Sequence, residues 1–128
     1  MLYEYKPELY YKDEAAIEIE GDDDVRFSAS LAQFYCPVRL CRCTITRLDL
    51  YATYFLGGLE IEKCRILCEV NWQSGGHNER PVRILDSTFS EFVDLEDCSF
   101  ESEVVLRNVK FLKGTNLLGN IGTPPRAA

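Results

Sequence analysis

The 128-residue sequence lacks most of the features that mark membrane, secreted or nucleic-acid-binding proteins. No apolar run approaches the ~20 residues that a helix needs to span a bilayer. The start, Met1-Leu2-Tyr3-Glu4-Tyr5-Lys6-Pro7, has no apolar stretch of the kind a secretory signal requires, which predicts a cytoplasmic protein with reduced thiols. Positive charge is scarce: 14 Lys and Arg stand against 21 Asp and Glu, a net charge of −7. That balance argues against direct contact with nucleic acid or an anionic membrane. The length fits one domain, because two halves would each be too small to bury a proper core.

The charges that are present fall in blocks. Residues 1–24 hold nine acids and two lysines, whereas 25–48 hold Arg26, Arg39, Arg42 and Arg47 and no acid. Residues 86–103 carry seven acids (Asp86, Glu91, Asp94, Glu96, Asp97, Glu101 and Glu103) and no base. Blocks of this kind are usually solvated surface, with docking as the sharper alternative.

Beneath the charge pattern lies a repeat. Three consecutive eleven-residue segments, STFSEFVDLED, CSFESEVVLRN and VKFLKGTNLLG, each place Phe third and Leu ninth. Eleven resolves into five plus six, with large apolar residues at Leu40, Ile45, Leu50, Phe55, Ile61, Ile66, Trp72, Ile84, Phe89, Leu95, Phe100, Leu106, Phe111 and Leu117. A smaller or branched residue sits two positions before each, as Cys43 before Ile45 or Cys64 before Ile66. Such steps drift around a helix without making a stripe, whereas small-x-large places two inward side chains on one short strand. Each step allows one short strand and one corner, and four steps close a coil of about 21–22 residues that is stable only against its neighbours. The expected fold is all-β, a right-handed parallel β-helix of about four coils with a quadrilateral section.

The runs VDLED-CSFES, VRLCR-CTITR-LDLYA-TYFLG and EKCRILC resemble pentapeptide-repeat proteins, over roughly residues 17–118. The six-residue steps and the rarity of Ala at the small position depart from the strict family pattern. Four stacks follow from this frame. One runs Leu40, Ile61, Phe89, Phe111, the next Ile45, Ile66, Leu95, Leu117. A third runs Leu50, Trp72, Phe100, and a fourth Phe34, Phe55, Ile84, Leu106. Arg39 is then expected beside Glu60 and Arg65 beside Asp94. The polar insertions 21–24 and 73–81 are expected to protrude as loops. Residues 1–16, with Tyr3, Tyr5, Tyr10 and Tyr11, read as a segment packed over an open end of the solenoid, and 119–128 as a loose tail.

Catalytic and metal chemistry find little support. Cys41-x-Cys43 with Cys64-x-x-x-Cys68 offers four thiolates, but not at a zinc-ribbon spacing. The repeat instead puts Cys43, Cys64 and Cys98 at the small inward position, as compact hydrophobes. No metal and no cofactor are expected. His77, the sole histidine, has no nucleophile or orienting acid placed beside it by the sequence, so a small hydrolase or lyase built on it is a third-ranked reading.

The leading reading is a non-catalytic protein-binding module. The resemblance implies a sharper form, because some acidic pentapeptide-repeat proteins mimic duplex DNA and dock on DNA gyrase. The carriers would be Asp94, Glu96, Asp97, Glu101 and Glu103 with Glu91 alongside, and Gly75, Gly76, His77 and Asn78 would be secondary loop contacts. The partner is then a protein, a DNA-binding enzyme in that form. The alternative is a self-assembly or interaction scaffold, a homodimer among its forms, that uses an outer apolar stripe of Tyr35, Tyr54, Leu56 and Leu85 with Val105 nearby. A far-ultraviolet circular dichroism spectrum is expected to be that of β-structure, and a spectrum dominated by helix would refute the repeat.

Overall fold

A computed structural model of the chain describes residues 1–6, 10–11, 15–117 and 125–127. Among these residues there is no α-helix, and every strand pairing is parallel. The strands stack as a right-handed β-solenoid of about five turns, somewhat more than the four expected. No helix of the described residues is long and apolar enough to cross a membrane.

Four faces enclose the core. The first is built from β3 (Ile17–Glu20), β6 (Val38–Cys41), β9 (Leu59–Glu62) and the leading halves of β12 (Val82–Phe89) and β14 (Val104–Phe111). Successive coils along it therefore take 21, 21, 23 and 22 residues. The second face holds the start of β7 (Thr44–Asp49), β10 (Arg65–Ile66) and the trailing halves of β12 and β14. The third holds β1 (Leu2–Glu4), β4 (Val25–Ser28), the end of β7, β11 (Val70–Asn71) and β13 (Val93–Asp94). The fourth holds β2 (Tyr10–Tyr11), β5 (Gln33–Phe34) and β8 (Tyr54–Phe55). A last strand, β15 (Pro125–Ala127), pairs with β14, so this part of the expected tail extends the first face. Residues 118–124 and 128 lie outside the described residues.

The small-x-large motif behaves as its alternation dictates. On the second face Ile45, Ile66 and Phe89 are almost fully buried in register, and Phe89 stacks on Phe111 at 5.1 Å. The small positions also satisfy backbone carbonyls inside the stack. The thiols of Cys43, Cys64 and Cys98 donate to the carbonyls of Ile19, Leu40 and Trp72, and the Thr53 hydroxyl donates to that of Ala29. A thiol or hydroxyl thus fills the space of a methyl group while pairing an acceptor.

Corners are turned by left-handed residues that form their own ladders. After the first face these are Gly21, Arg42, Lys63, Asp86 and Asn108, and between the third and fourth faces Leu31, Ala52, Ser74 and Asp97. A non-glycine residue in this conformation costs about 1 kcal/mol. The neighbouring coil offsets it by ordering the corner amide: Arg42 N–H donates to the Glu62 carbonyl and Lys63 N–H to that of Leu85. A six-residue step is absorbed as a register shift between Val25 and Arg26, which face Ile45 and Arg47.

Two expectations about the stack need correction. Neither polar insertion protrudes. Gly21 N–H bonds the Cys41 carbonyl and Thr44 N–H bonds that of Asp22, which keeps 21–24 within a corner. Residues 73–81 complete the fourth face of their own coil, because Asn78 points inward and is fully buried. Its Oδ1 accepts the Phe55 N–H at 3.2 Å, and its Nδ2 donates to the carbonyls of Gly75 at 2.8 Å and Ser99 at 2.9 Å. The carboxamide therefore bridges three coils from within a segment that was expected to loop out. The chain beyond it is displaced by one face: Ile61 meets Ile84 rather than Phe89, Ile66 meets Phe89 rather than Leu95, and Asn78 pairs with Phe100 below Phe55. Consistently, the Trp72 ring meets Phe55 and Phe100 edge-on at 5.4 and 5.6 Å.

The N-terminal segment covers the end of the solenoid as part of a further coil. Leu2–Glu4 pair with β4, and the Tyr5 ring packs on Phe27 and Phe34 at 5.1 and 5.0 Å. Residues 7–9 and 12–14, also within the segment expected to pack there, lie outside the described residues.

Replacing Asn78 by Leu would leave the Phe55 amide and the Gly75 carbonyl buried without their side-chain partner, at about 1–3 kcal/mol each, while Ser99 keeps the backbone N–H of residue 78. Urea denaturation should then show a loss of about 3 kcal/mol or more, against about 1 kcal/mol for Ile66→Val. Equal effects would mean that the carboxamide does not hold the coil. Ile66→Asp, an unpaired charge inside the stack, should not fold.

Candidate functional site

The acidic block does not form a face. Residues 86–103 occupy most of one 22-residue coil, so they wrap the rod as a belt instead of running along it. Glu91 sits between the second and third faces, where Lys113 lies at 3.0 Å. Asp94, on the third face, accepts from Asn116 at 2.9 Å, from Gln73 at 2.5 Å and from the Glu96 N–H at 3.0 Å. Those bonds, the one from Asn116 foremost, hold its carboxyl below the usual range. Glu96 and Asp97 are exposed at the corner between the third and fourth faces, where Asp97 is left-handed. Glu101 lies beyond Phe100 and meets His77 at 2.9 Å, and Glu103 occupies the corner leading into the first face, its carbonyl taking the Val82 N–H. Asp86 is bonded by Arg107 at 3.0 Å and Asn108 at 3.2 Å, and these two side chains lower its pKa. The six residues expected on one docking face are thus spread over three sides. The physical reason is that neighbours along a solenoid are a full coil apart in sequence. A continuous acidic row needs acids spaced by about 22 residues, and Asp94 instead has Asn71 and Asn116 beside it.

The expected apolar stripe is brought together in part. Tyr35 is 47 % exposed and follows Phe34, Leu56 is half-buried and follows Phe55, and Tyr54 stands on the fourth face against the His77 ring at 5.3 Å. Leu85 is not among them. It is 3 % exposed at the end of the first face, in register with Glu62 and Arg107, and Val105 is likewise buried. Both were assigned to the fourth ladder by the one-face displacement that Asn78 introduces. The same displacement removes the expected Arg65–Asp94 pair. Arg65 lies between Thr44 and Thr88 and donates to the Thr44 hydroxyl at 3.3 Å. The Arg39–Glu60 pair, upstream of the displacement, is present at 3.1 Å.

The Gly75–Asn78 segment is a folded corner. A side chain on Gly75 would strike the Trp72 indole at 2.0 Å, and Gly76 borders the Tyr54 ring. Exposed His77 touches Glu101 and Tyr54, and no hydroxyl or thiol is hydrogen-bonded to it among the described residues. Burial pushes the Cys64 thiol up to about 11 and that of Cys98 to about 12, so neither supplies a thiolate at neutral pH. No cluster of three metal-binding side chains occurs among the described residues. An apolar void of about 20 Å³ in the solenoid interior is too small to admit a ligand.

One concavity went unread in the sequence. Where the fourth face turns into the first, a groove of about 540 Å³ runs over Gly57, Gly58 and Leu59, with Tyr35 and Pro37 on one side and Arg80 and Pro81 on the other. Gly57 in its floor lies hard against the preceding coil, where a Cβ would come within 2.4 Å of the Cys36 carbonyl carbon. Gly58, at φ 100°, completes the flattened corner. The Gly57-Gly58 pair is the sequence signal that could have located it. Compared with models of protein families, with curated proteins and with solved structures, the chain matches none. The site therefore has to be read from its own geometry.

Iodoacetamide at pH 8 should leave Cys64 and Cys98 unmodified in the folded protein and alkylate them in urea, as mass spectrometry would show. Labelling at equal rates in both states would contradict their burial. The lowered carboxylates, Asp86 and Asp94, give a second outcome. Their contribution is present above the ordinary carboxylate pKa and is lost as pH falls through the depressed values. The acid-unfolding midpoint should consequently rise in Asp94→Asn.

Proposed function

We propose that the chain is a pentapeptide-repeat-like solenoid acting as a non-catalytic protein-interaction module, and that it docks through the corner carrying Tyr35, Leu56 and the adjoining groove. One observation carries this reading: an exposed aromatic, a half-buried Leu and a groove of about 540 Å³ occur together on a rigid stack. Aromatic side chains beside a concave surface supply buried area at low entropic cost. Each coil fixes the corner of the next through backbone bonds, so the surface is preorganised and little freedom is lost on docking.

The second reading, a DNA mimic on a DNA-handling enzyme, draws on the net charge of −7 and on exposed Glu96 and Asp97. It ranks lower because the acids encircle the rod and several are already bonded, whereas mimicry of a phosphate backbone needs repeated charge along an axis.

Tagged protein would be used to capture partners from cell lysate, alongside Tyr35→Ala/Leu56→Ala and Glu96→Lys/Asp97→Lys variants, with and without excess duplex DNA. The groove reading expects a partner that is lost at least tenfold in the first variant, is retained in the second and is indifferent to DNA. A partner displaced by DNA and lost in the second variant would transfer the function to the acidic belt.

A further inference from the structure

The groove is cationic at one end, which is unexpected in so acidic a chain. Its walls carry Arg39, Arg80 and Arg83 against Glu18 and Glu60. These arginines are unequally committed. Arg39 reaches Glu60 at 3.1 Å and Glu62 at 3.0 Å, which uses its guanidinium on both. Glu60 is thereby engaged, and its other oxygen lies 3.7 Å from Arg83 Nε, outside hydrogen-bonding distance. Arg80 is exposed and makes no ion pair among the described residues. Arg80 thus borders the Gly57-Gly58 floor with N–H donors that no carboxylate among the described residues engages, and Arg83, in the 3.7 Å ion pair with Glu60, keeps its hydrogen-bond donors unengaged among those residues.

The groove's dimensions narrow the choice of occupant. Its lining comes from four successive coils, at Glu18, Arg39, Glu60 and Arg83. Rows about 4.8 Å apart give a length of about 14 Å, and an extended chain rising ~3.3 Å per residue covers that with four or five residues. A single small anion would fill only the arginine end, leaving Tyr35 and the glycine floor empty. The solenoid's own backbone is already bonded along this corner, as Val38 N–H to the Gly58 carbonyl and Gly58 N–H to that of Phe55. Recognition must therefore come from side chains. We infer that the groove takes an extended acidic peptide segment of a partner protein, with carboxylates on Arg80 and Arg83 and an apolar or aromatic side chain against Tyr35. This rests on the reading of the chain as an interaction module and names the chemistry of its partner. Guanidinium–carboxylate pairs are among the stronger hydrogen bonds available for such recognition. The net charge of −7 does not forbid it, because at physiological salt the field is screened beyond about 8 Å and the local arginines dominate.

The test uses the full chain and a fluorescein-labelled peptide, Gly-Glu-Tyr-Glu-Glu-Gly, followed by fluorescence polarisation and by amide chemical shifts. A Gln-for-Glu version and inorganic phosphate serve as comparison probes. The acidic peptide should bind, shift the amides of Gly57 and Gly58, and weaken as salt is raised. Binding should fall at least tenfold for the Gln peptide and for Arg80→Glu/Arg83→Gln, while Arg65→Glu on the second face changes it less than twofold. Arg80→Gln alone, at an exposed unpaired side chain, serves as a variant that leaves folding intact, checked by its circular dichroism. Unlocalised shifts, equal binding to the double variant, or saturable phosphate binding without peptide binding would each overturn the proposal. A lysate partner lost in Tyr35→Ala/Leu56→Ala but not displaced by excess acidic peptide would overturn it too, while leaving the interaction-module reading intact.

Discussion

Everything in this molecule depends on the parallel stacking of one coil on the next. No coil of 21–23 residues encloses enough apolar surface to persist alone. Its inward side chains are buried against the coils above and below, and its corner amides are satisfied by their carbonyls. That single constraint explains why Arg42, Lys63 and Ala52 tolerate left-handed backbone, why thiols and hydroxyls appear at the small inward positions, and why an Asn can stand among aromatics in the core. Each is a local cost or polar demand met by the neighbouring coil.

Stacking also determines what a charge pattern means. Along a helix, residues three and four apart share a face. Here residues one coil apart do, and a run of acids in sequence is a ring in space. Several ion pairs follow the same rule: Arg39 with Glu60, Arg107 with Asp86, and Lys113 with Glu91 each join adjacent coils. Exposed pairs of this kind contribute at most about 1 kcal/mol each, and they reinforce a register that the apolar ladders already specify. Their functional consequence is greater, since they withdraw Glu91, Asp86 and Arg39 from partner binding while Arg80 stays free of any ion pair among the described residues.

Much of the architecture was legible because small-x-large is a strictly local code. Ile45, Ile66 and Phe55 could be placed inside from their own neighbours, and the Arg39–Glu60 contact followed from two regular coils of 21 residues. The misplaced ladders trace to one segment. Residues 73–81 are polar and rich in turn-formers, which reads as a loop, yet Asn78 supplies inside the stack the hydrogen bonds that make its polarity affordable. Missing that one inward residue moved Ile84, Phe89, Leu95 and Phe100 to the wrong faces, and it took Leu85 and Asp94 with them. The groove was missed for a related reason. Gly57 matters through its approach to Cys36, a contact between successive coils that no window of neighbouring residues contains.

Alternation and step length in the sequence alone therefore determined that the chain is all-β, that its strands are short and parallel, and that the small-x-large pairs turn inward. Those properties depend on side chains within a few residues of one another. Only the tertiary structure decided which residues become neighbours across coils: the phase of the ladders after Asn78, the spreading of the acids into a belt, and the pairing of Tyr35 with Arg80 and Arg83 along one groove. Adjacency in a solenoid depends on the summed length of every strand and corner in a coil. One or two extra residues, which barely alter the local pattern, turn all that follows onto another face.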